Sequence, residues 1–123
     1  MANELSLSGL TIAFTKSNVP SVSFTAPTIT PTVAGTQIMD NVQLVGTSEE
    51  AILLGDVAAG GWVYAQNMDT ANFVNLRAAT GAANFIQLNA GEYCLFRLST
   101  GASAPYAIAD TGAVNVRFLR FDV

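Results

Sequence analysis

The sequence predicts an all-β protein, built as two packed antiparallel sheets with a β-hairpin arm at the N-terminus. Apolar and polar residues alternate in short runs rich in Val and Phe, as expected for half-buried strands. Gly, Pro, Asn and Thr interrupt these runs about every eight to twelve residues, which is the turn spacing of sandwiches and barrels. No window of about eleven or more residues keeps a 3.6-residue apolar period, so we expect little or no helix.

The arm is predicted from two apolar runs, residues 5–16 and 19–25, joined by the turn-forming pair Ser17-Asn18. The apolar parity of the first run changes at Gly9, which suggests a β-bulge that keeps the apolar side chains on one face. The second run alternates apolar and hydroxyl side chains, so the hairpin has one face of each kind. An isolated hairpin is marginally stable, and we therefore expect it to lie against the rest of the chain or a neighbouring copy. The arm residues expected at such an interface are Leu5, Leu7, Leu10, Ile12, Phe14, Val22 and Phe24.

Residues 26–36, with the sequence APTITPTVAGT, are expected to form a connector. Pro27 and Pro31 lack a backbone N–H and favour extended backbone, which argues against a central strand. The connector is either an ordinary loop or a linker that carries the hairpin to another subunit. We therefore divide the chain into the hairpin with its connector, residues 1–35, and a β-sandwich domain, residues 36–123.

The sandwich is predicted to contain eight short strands, which fit the two sheets of a jelly-roll-like fold. The phrase ANFVNL returns twelve residues later as ANFIQL, and this echo predicts two consecutive strands of similar environment. Turns rich in Gly, Asn, Asp and Thr separate the strands. The predicted strands are Ile38–Val45, Ala51–Leu54, Gly61–Asn67, Phe73–Arg77, Phe85–Leu88, Glu92–Leu98, Tyr106–Ala109 and Val114–Asp122.

Alternation within each strand predicts the core and a second interface. Leu119, Phe121 and Val123 in the last strand have the parity opposite to its core residues. Either a bulge shifts the register there or both faces are covered. We expect these three residues at an interface, because a small sandwich buries limited area and gains more by oligomerising. The predicted core residues are Val42, Leu44, Ile52, Leu54, Val63, Val74, Leu76, Ile86, Leu88, Cys94, Phe96, Leu98, Val114, Val116 and Phe118.

The composition argues against several functions. The 123 residues include no histidine and one cysteine, so the commonest general base, an intrachain disulfide and a cysteine-based zinc site are excluded. Five basic residues in a chain of net charge −4 argue against nonspecific nucleic-acid binding. No run approaches the ~20 apolar residues of a membrane helix, and the first ten residues lack the features of a signal peptide. We expect no enzyme activity, no metal or cofactor, no nucleic-acid or membrane partner, and no export.

Individual groups that could act in catalysis have simpler interpretations. Glu49 and Glu50 are adjacent in sequence, and we interpret them as a solvated turn. Cys94 stands in the middle of a strand among apolar residues, which is typical of a buried and inert thiol. Gly60-Gly61 lacks the Lys and Ser or Thr that follow in a phosphate-binding loop.

The low charge is the most informative property of the composition. Only 11% of the residues are charged and 50% are hydrophobic, whereas an ordinary soluble domain is roughly 25% charged. Soluble monomers cover themselves with mixed charges. The sequence therefore predicts a surface that is covered by other protein, as in a homo-oligomer.

One polar cluster, residues 66–72, lies beside aromatic residues. Such a cluster could hold a sugar, or Asp69 with amide oxygens could bind calcium. However, Asn and Asp also form tight turns by bonding their own backbone, and a calcium site gathers several carboxylates whereas this cluster has one. We favour the turn and keep an alternative ligand-binding set, which is Trp62, Tyr64, Asn67, Asp69 and Asn72.

Four phrases along the chain resemble, in their order, small structural proteins of tailed bacteriophages. In those proteins a strand leads into an Asn-x-Asp-x-x-Asn turn, a later strand leads into a Leu-x-x-Gly-Glu turn, and the chain ends in a hydrophobic strand. The likeness covers about residues 42–121 and does not include the hairpin. The phrases are QLVGTSEEAILLGD, GGWVYAQNMDTANFVNL, FIQLNAGEYCLFRL and PYAIADTGAVNVRFL, and the landmark residues are Asn67, Asp69, Asn72, Leu88, Gly91 and Glu92.

This resemblance implies a β-sandwich component of a virion that is assembled in the host cytoplasm. The favoured role is a capsid decoration (cement) protein that forms homo-oligomers, expected to be trimers, and bridges neighbouring subunits of the major capsid protein. The alternative is a tail-fibre or baseplate component that recognises host glycans or another receptor through the ligand-binding set.

Overall fold

The structure is a computed structural model that describes residues 5–31, 38–53, 61–99, 102 and 104–121. Within these ranges the regular secondary structure consists of β-strands, as the all-β prediction requires. No helix that could span a membrane occurs in the described ranges. The chain divides into two compact units, Met1–Ala34 and Gly35–Val123, and each unit is described by itself.

The N-terminal unit is the predicted hairpin, formed by β1 (Thr11–Lys16) and β2 (Val19–Thr25). Asn18 reverses the chain with a φ of 62°, a left-handed conformation that Asn tolerates because its short side chain can bond nearby backbone. Pairing continues beyond the strands, where Leu7 and Ile29 exchange backbone hydrogen bonds of 2.8 and 2.9 Å. Part of the expected connector is therefore paired with the arm.

The expected bulge at Gly9 is wrong. The pairs Leu7–Ile29 and Phe14–Val22 belong to the same register, and the register changes only between Phe14 and Lys16. Gly9 lies before β1 and adopts a φ of 81°, which is accessible to glycine because it has no Cβ. The change in apolar parity therefore coincides with the change of backbone conformation at Gly9. No residue is inserted into the strand pairing there.

The second unit is a β-sandwich of two four-stranded antiparallel sheets. The first sheet has the order β3 (Ile38–Val45), β10 (Val114–Phe121), β5 (Gly61–Asn67) and β8 (Tyr93–Leu98). The second sheet has the order β4 (Glu50–Ala51), β9 (Tyr106–Ala109), β6 (Val74–Arg77) and β7 (Ile86–Leu88). The pairs are nested in sequence, since β3 pairs with β10, β4 with β9, β5 with β8 and β6 with β7. This is the jelly-roll-like arrangement that the sequence predicts.

The strand predictions agree with the structure in number and order, and three of them agree at both ends: Ile38–Val45, Gly61–Asn67 and Tyr106–Ala109. The largest difference is β4, which was expected to be Ala51–Leu54 and is Glu50–Ala51. Leu54 and Asp122 lie outside the described residues.

The repeated phrase forms β6 and β7, which pair directly with each other. Val74, Leu76 and Leu88 are buried, and Ile86 packs against the same core. The environments differ at the phenylalanine of each copy, because Phe73 is half-buried whereas Phe85 is 82% exposed. The two copies form consecutive strands as predicted, but only their inward side chains share an environment.

The core lies between the two sheets of this unit. Most predicted core residues are found there, with Ile86, Cys94, Phe96 and Leu98 half-buried at its margin. The sequence did not predict Val45 or the alanines Ala65, Ala107 and Ala109 as core. The buried apolar residues are Val45, Ile52, Val63, Ala65, Val74, Leu76, Leu88, Ala107, Ala109, Val114, Val116 and Phe118.

The predicted burial of Val42 and Leu44 is wrong, because β3 turns its other face inward. These side chains are 48% and 61% exposed. Val116 in the neighbouring strand is buried and lies opposite Gln43. Directly opposite residues in an antiparallel pair lie on the same face of the sheet, so the packing of β10 places Gln43 inward and its neighbours outward.

Gln43 is accommodated in the interior because its amide group is fully hydrogen-bonded. Its Nε2 donates to Oε1 of Glu50 at 2.9 Å and to the carbonyl of Ala51 at 3.0 Å. Its Oε1 accepts from the N–H of Leu53 at 3.0 Å. These contacts connect an edge strand of the first sheet to β4 in the second sheet.

The last strand keeps one register with both of its neighbours, so a bulge does not explain its two apolar parities. Val116 and Phe118 face the core. Leu119 and Phe121 are half-buried on the opposite side of the sheet. Val123 lies outside the described residues.

Candidate interaction surfaces

The hairpin carries an apolar face, here called the arm face, that consists of Ile12, Phe14, Val22 and Phe24. Ile12 lies opposite Phe24, and Phe14 lies opposite Val22. The four side chains are 45–53% exposed. The other face carries hydroxyl groups, and the Oγ1 atoms of Thr11 and Thr25 are 3.4 Å apart across it.

The remaining arm residues that were expected at an interface differ in exposure. Leu10 precedes β1 and is 46% exposed. Leu5 is buried and Leu7 is half-buried. The exposed apolar surface of the N-terminal unit is therefore formed by the paired strands, by Leu10 before them and by Ile29 after them.

The first sheet of the sandwich has a predominantly apolar outer face, which is the side opposite the core. Its four strands place fourteen side chains on this face, and nine of them are apolar or aromatic. One cross-strand row joins Ile38, Phe121 and Trp62. The nine are Ile38, Val42, Leu44, Trp62, Tyr64, Tyr93, Leu95, Leu119 and Phe121.

The outer face includes the predicted interface residues Leu119 and Phe121 together with Trp62 and Tyr64 of the alternative ligand set. The rings of Tyr64 and Tyr93 have centroids 5.7 Å apart. The edge strands are the most open, with Ile38, Val42, Leu44, Tyr93 and Leu95 between 42% and 71% exposed. The sequence did not identify Ile38, Val42, Leu44, Tyr93 or Leu95 as surface residues of one patch, because this grouping requires the strand order.

The charges on the outer face are few and mostly paired. Arg117 donates from Nε and Nη2 to the two carboxylate oxygens of Asp40, at 3.0 and 2.9 Å. This hydrogen bonding lowers the pKa of Asp40 and raises the pKa of Arg117. The third charged side chain is Arg97, opposite Trp62 on edge strand β8. The outer face therefore carries a small positive net charge on a chain whose net charge is −4.

The polar cluster at residues 66–72 is a hydrogen-bonded turn. Asn67 is fully buried, and its Nδ2 donates to the carbonyls of Asn72 at 2.9 Å and Leu88 at 3.0 Å. Its Oδ1 accepts from the N–H of Asp69 at 2.8 Å. Oδ2 of Asp69 accepts from the N–H groups of Asn72 at 2.6 Å and Ala71 at 3.2 Å, and these bonds lower the pKa of the carboxyl group.

The structure does not bring the alternative ligand set together at one point. Trp62 and Asn67 stand at opposite ends of β5, about 17 Å apart at a rise of ~3.4 Å per residue. Trp62 and Tyr64 belong to the outer face, whereas Asn67 is buried. The aromatic residues and the polar turn are therefore separate features.

The turn at residues 89–92 is linked to this cluster. Oε2 of Glu92 accepts from the N–H of Asn89 at 2.8 Å, and Gly91 adopts a φ of 80°. The N–H of Asn67 donates to the carbonyl of Glu92 at 2.9 Å. The landmark residues of the phage-protein resemblance thus include the groups that hold these two turns together.

The interpretation of Glu49 and Glu50 as a solvated turn is wrong. Both side chains are half-buried. Glu49 accepts from Nη1 of Arg77 at 2.7 Å and Oγ1 of Thr80 at 2.5 Å, and also from the N–H of Gly81. These bonds lower the pKa of Glu49, and they fix the loop before β4 to the turn between β6 and β7.

Cys94 is a half-buried free thiol in β8. Burial raises the pKa of the Cys94 thiol to about 11. Within the described ranges no group of three or more Cys, Asp or Glu side chains is arranged to hold a metal ion. An open cavity of about 310 Å³ is lined mainly by apolar side chains, including Leu76, Ile86 and Phe96.

No protein-family model, curated protein or solved structure matches the chain. The two apolar surfaces are the candidate contact sites of the described residues. The arm face and the outer face each expose large apolar side chains on a regular sheet. Contiguous apolar surface of this kind is characteristic of contact sites.

Proposed function

We propose that the protein is a structural component of a tailed-bacteriophage virion, namely a capsid decoration (cement) protein. It forms homo-oligomers, expected to be trimers, and bridges neighbouring subunits of the major capsid protein. It is incorporated into the virion during assembly in the host cytoplasm. The proposal combines the phage-protein resemblance of residues 42–121 with the exposed arm face.

The main observation in support of the proposal is the exposure of the arm face. Phe14 and Phe24 are 45% and 52% exposed on a sheet of only two strands. Such a sheet is marginal by itself in water. Full burial of a large apolar side chain contributes about 1.5–3 kcal/mol, so covering the exposed half contributes roughly 1 kcal/mol for each residue. A neighbouring subunit that covers the arm face stabilises both the arm and the contact.

A cement protein requires only modest contacts of this size. Each copy adds a small interface, and many copies that engage one shell gain strength through multivalency. The low charge of the chain, 11% of residues, reduces the cost of removing surface from water, because charged groups are expensive to desolvate. Both properties suit a protein that functions while it is covered.

Electron microscopy of virions that contain or lack the protein tests the proposal. We expect additional density on the head surface when the protein is present, and heads that rupture at lower temperature when it is absent. Virions that contain none of the protein, or carry it only on the tail, would contradict the cement role.

The alternative is a tail-fibre or baseplate component, and the aromatic part of the outer face favours it. Trp62, Tyr64 and Tyr93 lie on one side of the sheet, and aromatic rings of this kind can stack on sugars. Asn67 and Asp69 do not add to such a site, since their side chains are bonded to backbone. A glycan array distinguishes the two roles. Specific binding of a glycan that is lost in Trp62→Ala favours the fibre component. The absence of any glycan preference favours the cement protein.

A further inference from the structure

We infer that the outer face of the first sheet packs against the same face of a second copy of this chain. The inference deepens the proposed function and rests on it for the expectation that copies associate. It adds the surface and the symmetry of the contact. A contact between two identical faces is two-fold, and it joins copies in pairs.

The area of the outer face is sufficient for a specific contact. Four strands spaced by ~4.8 Å, with up to eight residues that rise ~3.3 Å each, give a planar footprint of roughly 500 Å². Two such faces bury about 1,000 Å² in total, and the uneven surface of the side chains adds to this area. A buried area of this size reaches the range of biological interfaces. Sheets of two sandwiches can pack face to face at about 10 Å, as the sheets within one sandwich do.

The charge distribution favours a second copy as the occupant. Asp40 and Arg117 neutralise each other through two hydrogen bonds on the face. Arg97 belongs to edge strand β8, where a long side chain reaches water at the rim. Two identical faces can therefore meet without an unpaired charge at the centre. The rest of the sandwich carries the excess of acidic residues, so contacts between other parts of two sandwiches bring more like charge together.

The composition of the face also matches that of an interface core. Trp62, Tyr64, Tyr93 and Phe121 supply aromatic surface, which is enriched at the centre of protein interfaces. Leu119 lies between Asp40 and Tyr64 in the middle row of the sheet. A trimer, if it forms as expected, uses a different surface, for which the arm face is the candidate.

Substitutions that place a carboxylate on the face test the inference. Val42→Asp and Leu95→Asp change exposed side chains on the two edge strands, so the core is untouched. Each substitution appears twice in a two-fold contact, and we expect association at least ~100-fold weaker because a short carboxylate side chain loses its hydration inside an apolar contact. Phe85→Asp is the matched control, since Phe85 is 82% exposed and precedes β7 in the second sheet. Circular dichroism and thermal unfolding establish that all variants fold.

Sedimentation equilibrium and light scattering of the purified full chain give the readout. We expect a wild-type mass that is an even multiple of 12.8 kDa, half that mass for both face variants, and no change for Phe85→Asp. Equal masses for folded wild type and face variants would overturn the inference. The inference would also be overturned if the wild-type protein is a monomer and the face variants no longer bind to heads. In that case the capsid, and not a second copy, covers the outer face.

The failure of this inference can be distinguished from failure of the proposed function. If the protein pairs through the outer face but is absent from virions, the cement role is contradicted and the inference stands. Protein that decorates heads while its face variants associate normally contradicts the inference and leaves the cement role intact.

Discussion

Gln43 lies directly opposite Val116 across the β3–β10 pair, with its side chain inside the sandwich. This relationship determines the chemistry of both faces of β3. The inward amide links the two sheets through Glu50, Ala51 and Leu53. The outward side chains become part of the apolar outer face, on which the proposed association depends.

Replacing Gln43 with Leu is expected to destabilise the sandwich. The N–H of Leu53 and the carbonyl of Ala51 would lose their partners, and because these groups are partly buried the cost is at most about 1–3 kcal/mol. Urea denaturation of Gln43→Leu measures the change. Thr47→Ala is the control, because Thr47 is exposed in the loop after β3 and its truncation should cost less than about 0.5 kcal/mol. Equal stability of Gln43→Leu and wild type would contradict the role of the amide.

Asn67→Ala is expected to loosen the linked turns at residues 66–72 and 89–92. The change removes three hydrogen bonds from a fully buried side chain, for which we expect a loss of about 2–4 kcal/mol in the free energy of unfolding. Asn115→Ala, at an exposed position on the neighbouring strand β10, should change it little. Similar denaturation midpoints for the two variants would show that the Asn67 bonds do not hold the fold.

Glu49 is expected to make the fold sensitive to acid. Hydrogen bonds from Thr80, Arg77 and the Gly81 backbone lower its pKa below the ordinary 4.5. A carboxyl group whose folded pKa is lowered stabilises the protein above the unfolded pKa, and this contribution is lost as the pH falls through the folded pKa. The denaturation midpoint should therefore be flat near neutral pH and fall below about 4.5. Glu49→Gln should lower the midpoint at neutral pH and weaken its dependence on pH, whereas an unchanged pH profile would contradict this assignment.

Cys94 is expected to be unreactive in the folded protein. Burial raises the pKa of its thiol to about 11, so little thiolate exists at pH 8. A thiol reagent at that pH should modify the native chain slowly and the urea-unfolded chain rapidly. Native modification as fast as that of the unfolded chain would show that the thiol is accessible.

The arm face is expected to contribute to assembly and not to the stability of the sandwich. Deletion of residues 1–27 should leave cooperative unfolding of the second unit, which has its own core, while incorporation into heads falls. Phe14→Asp should reduce incorporation in the same way, because it places a charge on the arm face. Ala13→Asp is the matched control, since Ala13 lies on the hydroxylated face of the same strand. Normal incorporation of both the deletion and Phe14→Asp would exclude the arm from the contact.

Much of the fold could be predicted from alternation and turn chemistry, because these signals are local. The bounds of β3, β5 and β9 follow from apolar runs that end at turn residues. The inward face of β3 could not be predicted in this way, since both of its parities contain apolar residues and the choice is made by Val116 on a distant strand. The alanines of the core were missed because this chain also places alanine in its turns, as at Ala79 and Ala90.

The candidate surfaces were predicted only in part, because sequence signals are local whereas a surface can combine residues from distant strands. The apolar hairpin face is encoded in two adjacent runs, and it was identified as such. The outer face of the sandwich unites Val42, Tyr64, Leu95 and Leu119 from four strands, and only the strand order brings them together. Glu49 gains Arg77 and Thr80 as partners across a long stretch of chain, so its structural role has no local signal.

The central claim is that the outer face of this chain is an interface between its own copies and not free surface. Sedimentation velocity of the purified wild-type protein over a wide range of concentration tests it most directly. The account predicts association into pairs or larger even assemblies as the concentration rises. A single species of 12.8 kDa that stays monomeric and soluble at the highest concentration would contradict it.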